Sequence, residues 1–128
     1  MNDRELYRLA VKASRSAYAP YSGFQVGAAL LAADGRVFTG SNVENASYGA
    51  TICAERTAVV KAVSEGCREF SAIAVASSGG SAWPCGICRQ FMFEFSDDLK
   101  VISGDSEDSL ESFSLSDLLR KGFRLQTG

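Results

Sequence analysis

The 128-residue chain has no histidine. That absence excludes imidazole as a metal ligand beside the closely spaced Cys85 and Cys88. Basic runs are missing too, and 13 Lys and Arg stand against 15 Asp and Glu for a formal charge of −2. That balance argues against a nucleic-acid partner, because such binding draws on clustered positive charge. The longest apolar run, roughly "VGAALLAA", falls far short of the ~20 residues a membrane span needs. No membrane partner is expected. The amino-terminal "MNDRELYRLAVK" is charged and helix-like rather than signal-like. With only two prolines, 46% hydrophobic and 22% charged residues, the composition is that of a soluble folded chain. The expected setting is cytoplasmic and reducing, where cysteine spacing points to metal or catalysis before disulfides.

The length suits one domain over 1–128, large enough to bury a core without staples. Asn2 or Asp3 can cap a first helix, with Leu6, Leu9, Ala10, Ala13 and Ala17 at helical spacing. Pro20 and Gly23 then break the pattern. "VGAALLAA" and "RVFTGSNVE" flank Asp34-Gly35, a strong hairpin signal. A helix is expected from Cys53 to Glu65, closed by Gly66. "FSAIAVASS" reads as a strand buried on both faces. Cys85 to Phe95 forms a further helix behind Pro84, "LKVIS" and "ESFSL" two more strands, and Ser116 caps a short last helix. The order is α-β-β-α-β-α-β-β-α. Its two central β-α-β units favour a mostly parallel sheet with helices on its faces.

The four cysteines are Cys53, Cys67, Cys85 and Cys88. A site using all of them is excluded by geometry: Cys53 and Cys67 sit at opposite ends of one predicted helix, ~21 Å apart at about 1.5 Å per residue. Cys67 reads as a small buried hydrophobe. Cys85-Gly-Ile-Cys88 alone fits a redox dithiol and a metal site equally. Cys53 is the expected third ligand, because it starts a helix as Cys85 does, and helix N-termini favour thiolates. Three protein ligands and an open position form the catalytic rather than the structural zinc pattern.

Glu55 follows Cys53 by two residues and points in a different direction within the first helical turn. Taken alone it is an ordinary first-turn glutamate favoured by the helix dipole. Beside zinc, whose bound water has a pKa near ~7, it can take that proton and pass it to a departing amine. Cys53-Ala54-Glu55 with Pro84-Cys85-Gly86-Ile87-Cys88 is the three-cysteine form of the zinc-deaminase pattern, in which the Glu is not a ligand.

"FQVGAALLAADG", "GSNVENASYGATICAERTAV" and "PCGICRQFMFEF" carry a more specific likeness. From about Tyr18 to Lys100 the chain resembles the small, homotetrameric cytidine deaminases. The resemblance implies a three-layer α/β/α fold with a five-stranded mixed sheet and one Zn2+ per subunit. It also implies hydrolysis of cytidine and deoxycytidine to uridine and deoxyuridine plus ammonia, a step of pyrimidine salvage. After Lys100 the match is weaker, with Arg120 where the family often has a proline.

Carried over by position, Cys53, Cys85 and Cys88 resemble the zinc ligands and Glu55 the proton shuttle. Three thiolates leave Zn2+ a formal surplus of negative charge. Arg56 and Arg89, each within a helical turn of a ligand, are expected to offset it as donors to sulfur. Asn42 and Glu44 alternate by two and so share one side of a strand end; in the resemblance they hold the sugar 3′ oxygen. Phe24 resembles the aromatic that packs on the base, and the backbone near Ala54 reads the polar edge of that base. Phe123, Ala46 and Tyr48 resemble residues that reach a neighbouring subunit's site across the interface. Rival readings are a deaminase of another aminopyrimidine nucleoside such as blasticidin S, and, from another class, a non-enzymatic zinc module or a thiol redox protein.

Overall fold

In the structure, a computed structural model that describes residues 1–126, Asn2 caps the first helix, α1 (Asp3–Ser14). Its side chain accepts the Glu5 amide hydrogen at 2.8 Å, satisfying one of the donors that a helix start leaves free. The helix stops at Ser14, so Ala17 lies outside the periodic face the sequence suggests. Leu6, Tyr7 and Ala10 are buried against Ala29, Ala72, Ala74, Ala76 and Ile102 on one face of the sheet.

That sheet is made of β1 (Val26–Ala32), β2 (Val37–Ser41), β3 (Phe70–Ser77), β4 (Lys100–Gly104) and β5 (Leu110–Ser114). Its opposite face is covered by α2 (Ala54–Ser64), α3 (Gly86–Phe93) and the short α4 (Leu115–Leu118). There Ala58, Val59, Met92 and Leu115 share one core with Leu30, Ile73, Val75 and Val101. Alternate residues of β1 and β3 thus enter different cores, which is why both strands read as near-continuous apolar runs. The result is the expected three-layer α/β/α arrangement.

The strand order is β2-β1-β3-β4-β5. Here the expectation of a mostly parallel sheet is corrected: β3–β4 is parallel, while β1–β2, β1–β3 and β4–β5 are antiparallel. The cause is the hairpin. Gly35 adopts φ 94°, a left-handed conformation that costs glycine little, and turns β2 back along one edge of β1. Strand β3 then adds to the other edge, so α2 crosses over β1 instead of joining neighbouring strands. The sheet is mixed, with a single β-α-β unit between adjacent strands. One boundary also moves: α4 is capped at Ser114, not Ser116.

The starts of α2 and α3 follow the carboxyl ends of β2 and β3, which run in the same direction. Both helix N-termini therefore emerge at one edge of the sheet, where open α/β folds place their sites. Gly40 of β2 sets how closely α2 approaches. A Cβ there would lie 2.6 Å from both Ala54 O and Ala58 N.

Candidate active site

Cys53 occupies the N-cap of α2 and Cys85 the N-cap of α3, with Cys88 one turn further along. Their three sulfurs lie within 4.8 Å of one another, and Cys53 Sγ is 3.9 Å from Cys85 Sγ. A tetrahedral ion with Zn–S bonds of about 2.3 Å has S···S edges of about 3.8 Å, so the donor set fits zinc. Cys88 is buried and Cys85 exposed. Cys67, by contrast, is buried beyond the far end of α2 and lines a separate cavity of about 250 Å³ with Arg36 and Arg68.

The sulfurs sit in an uneven field. A hydrogen bond from Cys88, and next the Arg56 guanidinium, hold the Cys53 thiol down to about 5. Cys88 is pushed up because it is the donor in that bond and is buried. Arg56 Nη2 lies 3.6 Å from Cys53 Sγ and also donates to Thr51 O at 3.3 Å. Its Nε is buried and has no partner among the described residues. Arg89 does not follow the expectation. Its Nε donates to Pro84 O at 2.6 Å and its Nη1 to Leu118 O at 2.7 Å, so it ties α4 to the start of α3 instead of reaching a sulfur.

Glu55 is only 4% exposed. Burial, assisted by the neighbouring Cys53 thiolate, raises its carboxyl to about 7. It opens onto a cavity of about 280 Å³ that it shares with Cys53, Ala54 and Cys85. Phe24, Asn42 and Glu44 line the same cavity. Strand-end spacing and the family resemblance both point to the last two, and the structure gives them further hydrogen bonds. Asn42 Oδ1 accepts from Val26 N at 2.9 Å and its Nδ2 donates to Phe24 O at 2.8 Å. Glu44 Oε1 accepts from Tyr21 N at 2.9 Å and Ser22 N at 3.1 Å, and Oε2 accepts from Ser22 Oγ.

The family model for the "Cytidine and deoxycytidylate deaminase zinc-binding region" matches residues 1–104. The chain belongs to this deaminase family. A cytidine deaminase of Halalkalibacterium halodurans is 50% identical over 125 residues, covering 96% of this chain and 95% of that relative. The crystal structure of cytidine deaminase from Burkholderia pseudomallei superposes with a TM-score of 0.91 at 47% identity, over 96% of this chain and all of that one (100%). That of Mycobacterium tuberculosis gives 0.85 at 41% identity, over 98% and 99% of the two chains. The family-model match ends with β4 at residue 104, while the likeness to these relatives continues over nearly the whole chain.

Within this deaminase fold the remaining candidates stay apart from the cavity. Ala46 is exposed on the loop after β2, Tyr48 is 79% exposed, and Phe123 is 63% exposed. Phe123 is pinned through its backbone to the Gln90 side chain. Sequence reasoning missed Ser22, Thr51, Val75 and Trp83, which also line the cavity. Trp83 had one legible signal, its place two residues before Cys85. Thr51 likewise stands two residues before Cys53, while Ser22 and Val75 join the site only through the fold.

Proposed function

We propose that the chain hydrolyses cytidine and deoxycytidine to uridine and deoxyuridine, releasing ammonia, with one zinc held by Cys53, Cys85 and Cys88. The observation that carries this reading is a cavity lined by the buried carboxylate of Glu55 and by Cys53 and Cys85, two members of a zinc-sized thiol trio completed by Cys88. Bound zinc supplies a water acidic enough to act as the nucleophile near neutral pH. With zinc bound, Glu55 would take one proton of the attacking water and deliver it to ring N3, then take the second from the hydroxyl added at C4 and pass it to the amino group, which leaves as ammonia. Burial keeps this carboxylate dry and close to the reacting atoms, the condition under which positioned proton transfer is effective. Phe24 packs on the pyrimidine, the backbone at Ala54 reads its polar edge, and Asn42 and Glu44 take the sugar 3′-hydroxyl. Arg56 offsets part of the surplus thiolate charge.

The assembly is a homotetramer acting in cytoplasmic pyrimidine salvage, with Ala46, Tyr48 and Phe123 turned toward a neighbour's site. Their exposure on the isolated chain supports that placement. Among the described residues, no helix is long and apolar enough to cross a membrane.

The deciding experiment mixes zinc-loaded protein with cytidine and follows the ultraviolet absorbance of the base together with ammonia release. A fall in absorbance with one ammonia per cytidine is expected. Zinc-loaded protein that releases no ammonia from cytidine would overturn the proposal and leave a deaminase of another aminopyrimidine nucleoside, or the redox or non-enzymatic zinc readings, in its place. Sedimentation at micromolar concentration tests the tetramer.

A further inference from the structure

The turn between α1 and β1 has so far served only as a break in the helical pattern. One hydroxyl organises it. Ser22 Oγ donates to Glu44 Oε2 and accepts from Phe24 N at 3.0 Å. The turn is closed by Gly23 N donating to Ala19 O at 2.9 Å. Asn42 holds the other end of the Phe24 peptide, through the Phe24 carbonyl. The aromatic is thus fixed at its N–H by Ser22 and at its C=O by Asn42.

Glu44 has one acceptor site left open. A carboxylate offers about two lone-pair sites on each oxygen. Oε1 uses both on the amides of Tyr21 and Ser22, and Oε2 uses one on the Ser22 hydroxyl. The remaining acceptor is therefore on Oε2, beside Ser22 Oγ. Ser22 and Glu44 line the main cavity and also a neighbouring one of about 290 Å³ that includes Tyr48. Together they form part of the wall between the two.

The geometry points to Ser22 as a positioning residue that sets selectivity for the nucleoside 3′-hydroxyl, by directing the one open acceptor of Glu44 while fixing the peptide of Phe24. This rests on the reading of Glu44 as the sugar contact given above. The hydroxyl does not touch the reacting atoms. Its loss acts on binding rather than on proton transfer.

The test compares deoxycytidine with 2′,3′-dideoxycytidine on the zinc-loaded enzyme and on Ser22→Ala, Ser22→Thr and Glu44→Gln. A hydrogen bond to a charged group corresponds to a factor of about ten to a hundred. Ser22→Ala is expected to raise KM for deoxycytidine by roughly that factor with kcat changed less than about threefold, and to shrink the preference over the dideoxy compound. Ser22→Thr, which keeps the hydroxyl, should restore both. An unchanged KM and preference in Ser22→Ala, while Glu44→Gln loses the preference, overturns the role of Ser22 alone. Equal losses on both substrates in Ser22→Ala overturn it as well, since they mark general damage to the turn. A Glu44→Gln enzyme that keeps the full preference overturns both the sugar reading of Glu44 and the role of Ser22.

Discussion

Replacing Gly40 with alanine tests how tightly the sheet sets the position of the catalytic helix. The added Cβ would stand 2.6 Å from Ala54 O and Ala58 N and 2.9 Å from the Thr57 side chain. Two of these three atoms are helix backbone, so no rotamer change relieves them. Reaching even a tight 3.4 Å contact requires α2 to retreat by about 0.8 Å at its first turns. Overpacking of this kind costs about 1–3 kcal/mol of stability. The same first turn carries Cys53, Glu55 and Arg56, and a displacement near 1 Å in a catalytic constellation costs about a hundredfold in rate. Gly40→Ala is therefore expected to lower the denaturant midpoint and to reduce kcat/KM about a hundredfold in the folded, zinc-loaded fraction. Zinc content is measured alongside, so that lost metal and moved helix can be told apart. A variant with wild-type midpoint and wild-type kcat/KM would refute the idea that Gly40 sets this spacing.

Glu55→Ala should retain stoichiometric zinc but lose about 10²–10⁴-fold in kcat, and metal analysis beside the absorbance assay checks both halves. Removing Arg56 as Arg56→Ala should weaken zinc binding by about ten- to a hundredfold, read by competition with a chromophoric chelator. Ile73→Ala, at a fully buried position of the central strand β3, should cost about 2–5 kcal/mol in denaturant titration without altering the zinc stoichiometry.

Much of this molecule is written locally. The hairpin follows from Asp34-Gly35, the cap of α1 from Asn2, and the two-faced burial of β3 from its unbroken apolar run. Strand order is not local. Whether β3 joins β2 or the free edge of β1 depends on which edge the hairpin leaves open, and a parallel β-α-β pattern alone cannot express that. The site divides along the same line. Cys53, Glu55, Cys85 and Cys88 stand in short motifs with fixed spacing, so their grouping could be expected. Arg89 could not be placed this way, because its partners, Pro84 O and Leu118 O, are backbone carbonyls with no residue-type signature. Ser22 lies 22 residues before Glu44 in an unremarkable turn. Only the packing of that turn against the end of β2 gives the serine a partner.

In chain topology, the thiol trio amounts to a removable cross-link. Cys53 and Cys85 are 32 positions apart and cap two separate helices. An ion shared between them closes a loop that contains the whole of α2 and β3. A covalent bridge closing a loop of this length restricts the unfolded chain by about 4 kcal/mol in the chain-entropy view; a coordinated ion constrains the same loop only while it is bound. The protein has four cysteines and all are free thiols, so the constraint is absent from the metal-free chain. Taking up the ion would then do mechanically what a disulfide does in a secreted domain, and giving it up would release the helices that carry Glu55 and Cys85 from one another.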